Sequence, residues 1–250
     1  MTDGLAIDVA GVTKTFPGGV QALEETNFQV AAGEFIAVVG PSGCGKSTLL
    51  RIVAGLIEPT EGMVTKQYAS TGAFVFQEAA LLPWRNVQRN AELLMELEDR
   101  FDAQERATRA QSALVQVGLS GFEKSYPHQL SGGMKMRLSL ARALALRPDY
   151  LLLDEPLAAV DELTRDLLQD ELLGLWRDSG FTAILVTHNV QEAAYLADRV
   201  VVMSPRPGRI THVIDVPFGA DRTLELKSTP AFAKLTGEIS RTLRQEAGNV

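Results

Sequence analysis

The sequence predicts an α/β fold, a mainly parallel sheet flanked by helices with a helical stretch inserted, and three observations carry that expectation. Strand-like and helical stretches alternate in the second half of the chain: Tyr150 to Leu153, a helix from about Glu162 to Asp178, Thr182 to Val186, a short helix, and Arg199 to Met203. The apolar run Phe35 to Val39 leads straight into a glycine-rich turn and a helix opening near Lys46. Between these regions, Val87 to Ala145 reads as helical throughout.

The remaining elements follow from local chemistry. From Leu5 to Phe76 the pattern is of short β-rich runs, such as Phe28 to Val30 and Ala73 to Phe76, separated by Gly and Pro. The helix at Lys46 turns Leu49, Leu50 and Val53 inward and meets Gly55, a C-terminal stop. Asp102 and Glu105 form a capping box, and Ala107, Ala110, Leu114 and Val117 follow at helical spacing before Gly118. Pro205 to Arg209 is a turn that joins Val200–Met203 to Ile210–Ile214 in a final hairpin. Thr229 and Pro230 begin a last helix that runs to about Gln245, with Pro at the first helical position.

With 250 residues, 46% of them hydrophobic, the chain can bury a large core. It contains no run of about 18 apolar residues, and its first residues lack the basic-then-apolar pattern of a secretory signal, which predicts a cytoplasmic protein. One cysteine, Cys44, excludes an internal disulfide, and the three scattered histidines lack zinc-ligand spacing. The net charge of −7 argues against nucleic acid as a partner, because that needs a basic face. A polyanion must therefore be held locally.

Two glycine-rich motifs offer such a grip. Gly40, Pro41, Ser42, Gly43, Cys44, Gly45, Lys46, Ser47 and Thr48 match G-x-x-x-x-G-K-[ST], in which backbone N–H groups converge on phosphate oxygens and the lysine adds a point charge. Ser47 is placed to ligate Mg²⁺ and Thr48 to bond an inner phosphate. The second motif, Ser131-Gly132-Gly133, precedes the apolar strand ending in Asp154 and Glu155. Carboxylates at the end of such a strand emerge where open α/β sheets bind ligands, Asp154 for the ion and Glu155 for the attacking water. Cys44 has no histidine partner for a thiol mechanism, so a bulky thiol reagent is expected to act by blocking the nucleotide.

The order of phosphate loop, Gln77, Leu130-Ser-Gly-Gly-Met134, Asp154-Glu155, Ala158-Ala-Val-Asp161 and Thr187-His188 resembles the nucleotide-binding subunit of ABC transporters over nearly the whole chain. The resemblance implies a P-loop NTPase core with an antiparallel β subdomain (1–84 and 146–218), a helical subdomain (85–145) and a C-terminal extension (219–250). It also implies ATP and Mg²⁺ as cofactors and a head-to-tail homodimer in which Ser131, Gly132 and Gly133 seal the partner's nucleotide. Gln77 is then a ligand to Mg²⁺ or water and a reporter of occupancy, His188 a γ-phosphate contact, Asp161 a link between the two sites, and Phe16 a platform for adenine.

Val75 to Arg85, Leu130 to Arg137 and Asp198 to Ile210 narrow the likeness to the nitrate, sulfonate and taurine importers. That implies separate permease subunits, an extracytoplasmic solute-binding protein and a peripheral seat on the inner face of the cell membrane. Met134 and Val160 depart from the commonest residues of the wider family without removing a charge or a metal ligand. Leu81, Leu82, Pro83 and Trp84 fit either a buried loop or a groove for a permease helix. A soluble ABC-type ATPase of DNA maintenance or metallocluster assembly is the rival, to be separated by copurification with a membrane protein. A phosphate-loop kinase transferring to a small acceptor is the further alternative, and phosphate release in the absence of any acceptor would separate the two.

Overall fold

In the computed structural model of the chain, residues 4–67, 70–158 and 160–248 are described, so Ala159 of the Ala158–Asp161 run lies outside them. In chain order the strands and helices are β1 (Leu5–Thr15), β2 (Gln21–Ala31), β3 (Phe35–Val39), α1 (Lys46–Ala54), β4 (Glu61–Lys66), β5 (Gly72–Val75), α2 (Val87–Glu96), α3 (Ala103–Gln116), α4 (Gly132–Leu144), β6 (Tyr150–Asp154), α5 (Glu162–Ser179), β7 (Thr182–Thr187), α6 (Val190–Leu196), β8 (Arg199–Met203), β9 (Ile210–Asp215) and α7 (Pro230–Gly248). The chain divides into two compact units, Met1–Ser70 with Ser179–Val250, and Thr71–Asp178.

In the first unit β3 pairs in parallel with β7 on one side and with β8 on the other, and β8 turns back antiparallel into β9. Every residue of β3 and β7 is buried, as continuous apolar runs in a parallel arrangement require. A separate antiparallel sheet in the order β2-β1-β4 covers the N-terminal region. Here the sequence reading falls short, because β1 and β2 are 11-residue strands rather than short runs. Irregular register between Val9 and Val12 breaks the alternation of buried and exposed residues, so neither strand shows a clean period of two.

Asp198 ties the C-terminal region to the strands. Its carboxylate accepts from the N–H of Phe35 at 3.0 Å and from the Arg222 guanidinium at 2.9 Å. Arg222 is buried and also donates to the carbonyls of Tyr195 and Ala197. Burial pulls the Arg222 pKa down and Asp198 opposes that pull. α7 begins as expected, the Thr229 hydroxyl accepting from the N–H of Phe232 at 3.2 Å.

The second unit sets the parallel pair β5–β6 beside helices α2, α3 and α4, which pack on one another. Each helix starts on a side-chain cap: Asn86 for α2, Asp102 for α3 and Ser131 for α4. Asp161 does the same for α5, accepting from the N–H of Thr164 at 3.0 Å. At α3 only the forward half of the expected capping box forms. Glu105 turns instead to Arg109 one turn on, 2.7 Å away, an i,i+4 pair that competes for its carboxylate.

Candidate functional site

The register of β3 and β7 brings the first unit's candidate residues together. Val39 pairs with Thr187, so the glycine-rich loop beginning at Gly40 and the residue His188 leave the sheet side by side at its C-terminal edge. Lys46 is only 5% exposed, and its ammonium donates to the carbonyls of Gly40 (2.8 Å) and Pro41 (3.0 Å), which holds the charge inside the loop it serves. Ser47 and Thr48 follow in the first turn of α1. Gly45 has φ 110°, and a Cβ there would lie 2.8 Å from both the Ala22 carbonyl oxygen and the Leu23 side chain, so no other residue fits.

Cys44 is 1% exposed, and its sulfur would lie 2.9 Å from a Cβ on Gly40. Only the backbone of Cys44 is therefore available to a phosphate; the thiol faces the core, where a bulky reagent does not reach it. His188 is exposed on a tightly held turn. The Thr187 hydroxyl donates to the buried carboxylate of Glu192 and accepts from the N–H of Asn189, whose side chain caps α6. Phe16 is 37% exposed with the Lys14 ammonium 5.3 Å from its ring centre, which excludes a purely core role.

The second unit repeats the geometry. Val75 pairs with Leu153, so Phe76-Gln77 and Asp154-Glu155 emerge together at the C-terminal edge of β5 and β6. Asp154 is buried, whereas Gln77 is exposed. Glu155 adopts φ 46° without being glycine, the kind of backbone strain that gathers where side-chain aim matters. Ser131 and Gly132 are exposed at the start of α4, and the Ser131 oxygen accepts from the N–H of Met134 at 3.3 Å. That capping bond uses a lone pair and leaves the hydroxyl proton for another acceptor. Asp161, also exposed, is held below its ordinary pKa of 3.8 by the Thr164 N–H and hydroxyl.

Among the described residues no group of three or more His, Cys, Asp or Glu could hold a metal by itself. Ser47 in the first unit and Gln77 and Asp154 in the second each offer a hard oxygen donor, the donor type that Mg²⁺ takes. Residues Leu81 and Leu82 are partly buried, Pro83 is exposed and Trp84 is 71% exposed. Trp84 is not part of a buried loop.

A family model described as ABC transporter matches residues 23–158, more than half of the chain. The chain belongs to the ABC transporter family. This ABC protein is 43% identical over 233 residues to the aliphatic sulfonates import ATP-binding protein SsuB of Bacillus cereus, covering 88% of the chain and 91% of that protein. It is 42% identical over 254 residues to the nitrate import ATP-binding protein NrtC of Synechococcus elongatus, covering 97% of the chain but 38% of that longer protein. Its fold is similar, with a TM-score of 0.75 and 32% identity over 85% of this chain and 100% of the other, to a dimeric ATP-binding cassette in a post-hydrolysis state bound to ADP and Pi. It is an ATP-binding ATPase of the ABC type, and no helix among its described residues is long and apolar enough to cross a membrane.

Sequence reasoning missed the residues that hold these ABC motifs in place. Arg142 of α4 is buried and donates to the carbonyls of Ala79 and Ala80, just beyond Gln77. Asn90 of α2 is fully buried and binds the same segment through the N–H and carbonyl of Leu82 and the carbonyl of Arg85. A signal existed for the first: a charge set among alanines and leucines at Leu140 to Leu144 is a cation on an apolar face, and such a residue needs a partner. Asn90 and Glu192 stand in mixed sequence, where nothing marks them as buried.

Proposed function

We propose that the chain is the ATP-hydrolysing subunit of an importer for a small solute of the nitrate, sulfonate or taurine class, working as a head-to-tail homodimer against separate permease subunits and fed by an extracytoplasmic solute-binding protein. The observation that carries this reading is Gly132. A Cβ at that position would meet nothing within 4 Å among the described residues, so no contact there demands glycine at 132, unlike Gly133, whose Cβ would fall 2.9 Å from the Thr164 methyl group. Glycine weakens a helix, and its presence at an exposed helix start is explained by close approach of something from outside. A phosphate held by the loop of a second copy fits, because the helix start offers N–H groups, a positive dipole end and the Ser131 hydroxyl proton.

In this mechanism the N–H groups of residues 43–48 and Lys46 hold the phosphates, while Phe16 takes the base by stacking. Glu155 orients or deprotonates the attacking water and His188 steadies the γ-phosphate end. Ser47 and Asp154 would hold Mg²⁺, with Gln77 toward the ion or its water, and the ion when bound would neutralise phosphate charge. Closure exists only with nucleotide bridging the two copies, so binding drives closure and cleavage releases it. Asp161 links the two sites, and the Gln77 segment carries the movement to the permease, docked at Leu81 to Trp84. Trp84 supports a docking surface there, since an indole this exposed gains nothing from solvent. The work is done on the inner face of the cell membrane.

The test is a Glu155→Gln chain saturated with magnesium ATP. It is expected to sediment as a dimer and to hydrolyse very slowly; a strictly monomeric species, even with its permease present, would sink the proposal.

A further inference from the structure

The turn from Ser204 to Arg209, between β8 and β9, lies against the phosphate loop rather than standing free as a hairpin tip. The N–H of Gly208 donates to the Ala22 carbonyl and its own carbonyl accepts from the N–H of Glu24, both at 2.9 Å, which stitches the turn to β2. A Cβ on Gly208 would fall 2.0 Å from the carbonyl oxygen of Cys44, and one on Gly40 would fall 3.0 Å from that of Met203. Backbone thus meets backbone along the base of the loop. The outer arm, Ser42 and Gly43, is exposed, and there Arg206 reaches across with its Nε donating to the Gly43 carbonyl at 3.2 Å.

We infer that Arg206 is a positioning residue for the phosphate loop, gripping its outer arm so that the N–H groups are ordered before the polyphosphate arrives. A loop with glycines at 40, 43 and 45 has much backbone freedom, and freedom lost on binding is subtracted from affinity. Gly43 itself sits at φ 76°, where its carbonyl turns outward to the guanidinium. A carbonyl fixed outward cannot face the anion, and the guanidinium adds positive charge beside a site meant for a polyanion. The inference rests on the reading of residues 40–48 as the ATP phosphate site.

Because Arg206 acts through the loop and not on the reacting atoms, its loss removes binding shared by ground state and transition state. Arg206→Ala is expected to weaken ATP, ADP and inorganic tripolyphosphate alike, by about 3- to 10-fold, the effect of one charge-assisted hydrogen bond at an exposed site. KM for ATP rises by the same factor with kcat unchanged, the thermal midpoint of the nucleotide-free chain stays put, and Arg206→Lys recovers part of the affinity. Calorimetric titration of parent, Ala and Lys chains with the three ligands, with steady-state hydrolysis alongside, reads all of this. Equal affinities of parent and Arg206→Ala for tripolyphosphate, or a fall in kcat at constant KM, overturn the inference alone. A parent chain that binds none of the three ligands overturns the underlying site assignment and this inference with it.

Discussion

The guanidinium of Arg142 donates to the carbonyl oxygen of Ala80 at 2.9 Å, and by a second bond to that of Ala79 at 3.0 Å, across more than sixty residues of sequence. Ala80 has φ 44°, a conformation that alanine does not adopt freely, so the bond holds the segment after Gln77 in a strained shape. The helix that begins at Ser131 and the segment that begins at Gln77 are therefore one mechanical piece within their unit. Burial pulls the Arg142 pKa down.

Arg142→Met should accordingly strand the Ala79 and Ala80 carbonyls and cost about 1–3 kcal/mol in urea unfolding. Hydrolysis by the intact transporter should fall further than nucleotide affinity does. Arg142→Lys, which lacks the forked geometry, should recover less than half of the stability lost.

Trp84→Glu should leave stability within about 0.5 kcal/mol of the parent, because the side chain is 71% exposed. ATP affinity should also be unchanged. What should disappear is copurification with the permease; a complex that survives the substitution would move the docking surface elsewhere.

The Cys44 thiol should react slowly with a bulky disulfide reagent in the folded chain and at the rate of a free thiol in denaturant, given its 1% exposure. Colorimetric thiol release with and without urea measures the ratio. Rapid labelling of the native chain would show that the loop opens.

Asp161 predicts a pH dependence. The Thr164 N–H and hydroxyl lower its folded pKa below the ordinary 3.8, so its cap on α5 contributes fully above that value and is lost as pH falls through the depressed folded one. Asp161→Ala should therefore be less stable than the parent at pH 7, and the gap should close in strong acid. Urea midpoints measured from pH 7 down to about pH 2 would show it.

Much of the fold was legible because its central strands are buried on both faces. Phe35–Val39 and Arg199–Met203 read as apolar runs with the bounds that the structure gives them, and Thr229-Pro230 marked the start of α7 from capping chemistry alone. The N-terminal strands were not legible at full length because register shifts scatter their apolar residues between faces. For the candidate site, short fixed-spacing motifs picked out the residues proposed to meet phosphate, since that chemistry admits few substitutes. The supporting contacts of Arg142, Asn90, Glu192 and Arg206 join residues far apart in sequence or hidden in ordinary composition, and only three-dimensional proximity exposes them.

The Arg222 side chain extends this logic to the end of the chain. It is a cation sealed among the carbonyls of Tyr195 and Ala197 and locked to the same aspartate that anchors the first residue of β3. Peeling the C-terminal arm away would leave a carboxylate without its counter-ion beside the strand that launches the phosphate loop. The arm is thus a fastener for the ATPase unit, and a chain cut short before residue 222 should lose grip on nucleotide even though every motif residue is still in place.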